Sequence, residues 1–148
     1  MCLEVGADLN VTTYDPDVNT LALPSKVAPL LIAVKKGVKV AKLLLDHHCE
    51  VDPVDEYGQT PLFKASERGD VEVCQLLLHH KANVNKKGFN DMTPLHVASN
   101  VKVAKLLLDH QCEVDPVDED GETPLFKASK RGDVEMCQLL LHLSLIHI

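Results

Sequence analysis

Aromatic bulk is nearly missing from this chain: of 148 residues none is Trp, two are Tyr and three are Phe. A core must then be assembled from Leu, Val and Ala, which favours many small contacts in thin, repeated layers over a few large anchors. Positive charge is also scarce. With 15 Lys and Arg against 22 Asp and Glu, the formal net charge is −7. That argues against a nucleic-acid module, which gains affinity from a basic stripe that tracks phosphates. The expected partner is another protein, with a basic or mixed surface. No window approaches the roughly 18 consecutive apolar residues of a membrane span. The opening MCLEVGADLN has neither the basic region nor the apolar run of a secretory signal. The expectation is an intracellular, cytoplasmic chain without membrane insertion. Its five cysteines, an odd number, do not read as a disulfide framework.

Repetition is what the chain has instead. In Thr60 to Asn85, TPLFKASERGDVEVCQLLLHHKANVN, a Thr-Pro pair opens a short helix and Gly69-Asp70 breaks it. A second helix begins at Val71, and Ala82 to Asn85 is extended. Pro-Leu recurs at Pro29, Pro61, Pro94 and Pro124, at spacings of 32, 33 and 30. A longer register lies over this one. Val38 to His79 matches Val101 to His142 at an offset of 63, differing only at His48/Gln111, Tyr57/Asp120, Gln59/Glu122, Glu67/Lys130 and Val73/Met136. Two units were duplicated as a block.

The local chemistry is consistent along the repeats. Thr60, Thr93 and Thr123 can cap a helix whose first residue is Pro, because the hydroxyl satisfies an orphan N–H and Pro has none to lose. Ala28 stands in that place in the first full unit, at a capping cost of about 1 kcal/mol. Asp70 and Asp133 suit the N-cap of the second helix. Val71, Cys74, Leu77 and Leu78 fall on one face at helical spacing and should form the core between units. A unit of this size cannot stand alone, so stability must come from stacking.

The residues Asp55-Glu56-Tyr57-Gly58-Gln59-Thr60-Pro61-Leu62, then Ala65, Gly69, Leu76-Leu77-Leu78, Ala82 and Val84-Asn85, resemble the ankyrin repeat, and the likeness covers nearly the whole chain. It implies an all-α solenoid of stacked ankyrin repeats, each a helix-turn-helix plus a β-hairpin loop. The divisions expected are the tail of a truncated repeat at 1–10, an enlarged hairpin loop at 11–27, and repeats at 28–59 and 60–92. A shortened repeat at 93–122, a truncated repeat at 123–142 and a non-native scar at 143–148 complete the set. The scar is expected because Leu143-Ser144-Leu145-Ile146-His147-Ile148 resembles the in-frame translation of a sequencing-library adapter.

Two departures from the family pattern have physical consequences. The family places Gly where a left-handed residue ends the second helix, whereas this chain has His48, Lys81 and Gln111. Each should cost roughly 1 kcal/mol relative to Gly. In the third full repeat, Ala98-Ser99-Asn100-Val101 replaces a seven-residue segment, Ala65 to Val71. Losing three residues removes nearly one helical turn, so the first helix should shorten, Asn100 should cap the second directly, and this junction should be the weakest in the stack.

The sequence carries no pattern of catalytic residues. His47-His48-Cys49 and His79-His80 carry zinc-type ligands, but the duplicated copy reads His110-Gln111-Cys112 and loses one of them. Cys49 and Cys112 read as small apolar core residues. Asp118 to Gly121 echoes part of a calcium loop, yet Pro116 and Lys127 stand where the first and closing ligands belong. His96, within Thr93-Pro94-Leu95-His96, corresponds to a framework hydrogen-bonding residue of the family. No catalytic, metal-binding or cofactor-binding residue is expected, and the chain is not expected to be an enzyme.

What remains is a binding surface. In the ankyrin family, partners contact the hairpin tips and the exposed side of the first helices. By correspondence the partner-binding residues are Glu56, Tyr57, Gln59, Glu67 and Arg68, then Phe89, Asn90 and Met92, then Glu119, Asp120, Glu122, Lys130 and Arg131. The implied function is a protein-protein interaction scaffold. The alternatives are a targeting or substrate-recognition segment of a larger protein, such as a ubiquitin-ligase receptor, a channel or a kinase, or a non-functional fragment.

Overall fold

The structure, a computed structural model, describes residues 28–146. The expected repeat tail at 1–10, the expected enlarged loop at 11–27 and residues 147–148 lie outside the described residues. Within them, helices follow one another in pairs: α1 (Pro29–Lys36) with α2 (Val38–Asp46), α3 (Pro61–Arg68) with α4 (Val71–His79), α5 (Pro94–Val97) with α6 (Val101–Asp109), and α7 (Pro124–Arg131) with α8 (Val134–Ile146). The first helices stack in one row, α1 on α3, α3 on α5, α5 on α7, and the second helices stack in another, α2 on α4, α4 on α6, α6 on α8. Each pair therefore buries its apolar stripe against its neighbours, as a solenoid requires.

The helix starts follow the capping chemistry. Thr60 Oγ1 accepts from Phe63 N–H at 3.2 Å and Thr123 Oγ1 from Phe126 N–H at 3.2 Å. Ala28 has no side chain to offer and makes no cap bond. Asp70 and Asp133 cap α4 and α8 through Val73 and Met136 N–H groups at 3.2 and 3.1 Å. Thr93 departs from its equivalents: its N–H donates to His96 Nδ1 at 3.0 Å, and its hydroxyl lies 3.0 Å from the same nitrogen. The imidazole thus enters the cap in place of a simple hydroxyl bond.

One continuous core of Leu, Val, Ala and Cys side chains runs through the stack, including Leu45, Leu62, Cys74, Leu77, Leu107 and Leu140. Val73, rather than Val71, is fully buried on α4; Val71 is half-buried. His48, Lys81 and Gln111 have φ of 65°, 71° and 64°, the left-handed backbone that the missing glycines would favour. The arms bridge units as well: Asp52 Oδ2 accepts from Asn83 N–H at 3.0 Å and Asn85 Oδ1 from Glu113 N–H at 2.9 Å.

The shortened unit loses its turn in the expected place. α5 has four residues where α1, α3 and α7 have eight. Asn100 Oδ1 accepts from Val103 N–H at 2.8 Å, capping α6, while its Nδ2 donates to the Gly69 carbonyl of the preceding pair at 3.1 Å. One feature differs from expectation. The hairpins are closed by single bonds, Asp55 N to Gln59 O, Gly88 N to Met92 O and Asp118 N to Glu122 O, and no β-ladder extends them among the described residues. Pro53 and Pro116 lie two residues before the closing bonds, and Pro has no N–H to continue a ladder. α8 itself runs to Ile146, four residues past His142. α4, by contrast, stops at His79.

Candidate partner-binding surface

Each hairpin tip is built by local hydrogen bonding. Asp55 Oδ1 accepts from Tyr57 and Gln59 N–H groups, both at 2.9 Å. Asp118 Oδ1 does the same for Asp120 and Glu122 at 2.9 and 2.8 Å. In the middle tip Gly88 stands where Asp would, and the chain turns instead through Asn90 and Asp91 at φ of 57° and 60°. Gly88 suits a close approach: a Cβ there would lie 3.2 Å from Gly58 O and 3.4 Å from the Phe63 ring, so those neighbours would have to give by a few tenths of an ångström. Neighbouring tips are thereby tied together. Glu119 N–H donates to the Asn90 carbonyl at 2.9 Å, and the Tyr57 and Phe89 rings meet edge to face with centroids 6.0 Å apart.

A lysine four residues into the first helix anchors two tips. Lys64 Nζ lies 2.8 Å from Asp55 Oδ2, and Lys127 Nζ lies 2.8 Å from Asp118 Oδ2. Burial works to raise the Asp118 carboxyl, but the Lys127 ammonium and the two tip N–H groups outweigh it and hold the pKa at about 2. Asp55 is lowered in the same way, against its burial, by Lys64 and the Gln59 and Tyr57 N–H groups. These pairs fix the tips from within, a role that the sequence reading missed; the signal was the Asp and Lys nine residues apart in both copies.

The surface residues fall into distinct groups. Glu56, Tyr57, Phe89, Asn90, Glu119 and Asp120 are exposed on the tips. Met92, Gln59 and Glu122 are half-buried, less open than expected. Glu67 and Arg68 on α3, and Lys130 and Arg131 on α7, are exposed near the C-terminal ends of those helices. Two differences between the duplicated blocks turn out to be coupled: Glu122 and Lys130, which replace Gln59 and Glu67, pair at 3.2 Å. Lys130 also lies 5.4 Å over the Phe126 ring. Ile32, absent from the expected set, is 49% exposed on α1, and with Leu31, Lys35, Glu56, Tyr57 and Gln59 it lines a groove of about 300 Å³ between α1 and the first tip.

The remaining polar groups belong to the framework. His96 is buried, its Nδ1 accepts from Thr93 and its Nε2 lies 2.9 Å from the Glu122 carbonyl. The proton therefore sits on Nε2, donating to the hairpin that leads into α7, and burial lowers the ring's pKa. Burial likewise pushes the Cys74 and Cys112 thiols up to about 12, which makes them inert core groups. Among the described residues no cluster of His, Cys, Asp or Glu is placed to hold a metal, and no helix is long and apolar enough to cross a membrane.

Stacked helix pairs joined by hairpin tips define a helical-repeat solenoid. The chain matches the family model for ankyrin repeats (3 copies) over residues 6–88 and 82–147, and it belongs to the ankyrin-repeat family, a non-catalytic interaction module. It is 38% identical over 105 residues to human Transient receptor potential cation channel subfamily A member 1, covering 68% of this chain and 9% of that protein. It is 34% identical over 96 residues to mouse B-cell lymphoma 3 protein homolog, covering 64% of this chain and 19% of that protein. The chain thus spans less than a fifth of the length of either relative.

Proposed function

We propose that this chain binds another protein non-covalently along its hairpin tips and the adjoining side of its first helices, with Tyr57 and Phe89 as anchors. The observation that carries the reading is the aromatic pair itself. Two rings, 56% and 45% exposed, span the tips of successive units in a chain otherwise poor in aromatics. Aromatic side chains on a rigid scaffold supply much of the energy at interfaces. Glu56, Asn90, Met92, Glu119 and Asp120 flank them, and Gln59, Glu67, Arg68, Glu122, Lys130 and Arg131 extend the surface along α3 and α7. The carboxylates at the tips suit a partner with a basic or mixed surface. The test is an affinity pull-down that compares the unaltered chain with Tyr57→Ala and Phe89→Ala. Loss of the same partners from both variants supports the reading, and equal recovery of every partner by all three sinks it.

A second reading is favoured by one observation, the small share of each relative that the chain matches. One of those relatives is by name a cation channel, and in a protein of that size these repeats would position an active part located elsewhere. Sequence on either side of the chain discriminates the two, by adding either further repeats or a different domain.

A further inference from the structure

We propose that the cleft between the short α5–α6 junction and the start of α8 binds, in trans, a segment of another protein in which an acidic and a basic residue stand side by side. The cleft lies where the chain has lost three residues. Ala65 to Val71 reads Ala-Ser-Glu-Arg-Gly-Asp-Val and Ala98 to Val101 reads Ala-Ser-Asn-Val, so the stretch missing between Ser99 and Asn100 corresponds to Glu67-Arg68-Gly69. Toward the preceding pair the shortened junction is closed. Ser99 N–H donates to Ser66 O at 3.2 Å, Asn100 Nδ2 donates to Gly69 O at 3.1 Å, and a Cβ on Gly69 would meet Ser99 Oγ at 2.5 Å. Toward the following pair it is open, with a cleft of about 580 Å³.

The lining charges define the occupant. Lys102 and Lys105 stand on the α6 side and Asp133 and Glu135 on the α8 side, with Ser99 and Asn100 from the junction itself. Asn100 and Asp133 are engaged as helix caps. Lys102, Lys105 and Glu135 are exposed and form no ion pair among the described residues, whereas Lys42, which holds the place of Lys105 in the duplicated block, pairs with Asp46 at 3.1 Å. Two ammonium groups and two carboxylates thus line the same cleft from different helices. A wholly anionic occupant would meet Asp133 and Glu135 and a wholly cationic one would meet the lysines, and like charges placed together oppose binding. An adjacent Glu-Arg pair satisfies both sides, and it is the pair that the sister unit carries at this place. The volume lies within the roughly 300 to 1,000 Å³ of ligand sites. None of these residues belongs to the surface assigned to the tips.

The test titrates a capped Ser-Glu-Arg-Gly peptide into the full chain and follows the backbone amide shifts of residues 99–105 and 133–135 by NMR. Saturable shifts are expected, with binding that weakens as salt is raised, because the lining is open to solvent. Lys102→Glu combined with Lys105→Glu should weaken binding at least about tenfold, and Glu135→Lys at least about fivefold. Inserting Glu-Arg-Gly between Ser99 and Asn100, which rebuilds the sister unit's turn, should abolish the shifts in a chain that stays folded. The charge variants disturb no buried group and decide the matter if the insertion unfolds the chain. Equal binding by the charge variants, by the folded insertion variant or by a neutral Ser-Gln-Met-Gly peptide overturns the proposal, as does the absence of saturable shifts.

Discussion

Three residues carry the clearest local strain. His48, Lys81 and Gln111 hold a left-handed backbone without the freedom of glycine, and replacing each by Gly is expected to raise unfolding free energy by roughly 1 kcal/mol in denaturant titrations. Ala28→Thr should add about 1 kcal/mol through the missing cap of α1. His96 makes stability depend on pH. Its folded-state pKa lies below the unfolded value of about 6.5, so the unfolded chain takes up the proton first. The stability it contributes is complete above that value and falls as pH drops below it. Protonating Nδ1 would also end its acceptance of the Thr93 N–H. The charged groups around the ring, Asp118, Lys127 and Lys87, act in both directions and leave burial as the dominant cause. The expected result is a urea midpoint that falls between about pH 7.5 and about pH 5.5 by a smaller amount in His96→Phe than in the unaltered chain.

The helices were legible because their ends are written in short-range chemistry. Thr-Pro opens α3 and α7, Gly-Asp ends them, and a three-residue deletion shortens α5; each needs only neighbours in sequence. What escaped the reading depends on residues brought together by stacking. Asn100 as cap of α6 was readable, but its second bond to Gly69, 31 residues away, was not. The exchange of Gln59 and Glu67 for Glu122 and Lys130 is a coupled change in space, because the two residues, eight apart in sequence, form an ion pair at 3.2 Å. The junction remains the element most open to test. Asn100→Ala should cost about 1 to 2 kcal/mol, since it removes a cap and a bond to the neighbouring pair. Amides from Pro94 to Val103 should exchange faster than those from Pro61 to Val73, because a four-residue helix has few internal bonds to break.

At the scale of the molecule, stability is a sum over neighbouring pairs, and binding belongs to the edge where the pairs meet. Tips held internally by Asp55–Lys64 and Asp118–Lys127 and linked to one another by Tyr57, Phe89 and Asn90 form a preorganised edge, which reduces the ordering cost of association. The duplicated copies present different edges. The first offers Tyr57 and the Ile32 groove, while the second replaces the aromatic by Asp120 and closes Glu122 onto lysines. The surface proposed for the partner is therefore centred on the earlier tips. The most direct measurement is the dissociation constant of a partner recovered by pull-down, titrated against the unaltered chain, Tyr57→Ala, Phe89→Ala and the control Lys39→Ala on exposed α2. At least about tenfold weaker binding is expected for each aromatic variant, with unchanged binding for the control. Equal affinities across all four chains would contradict that expectation.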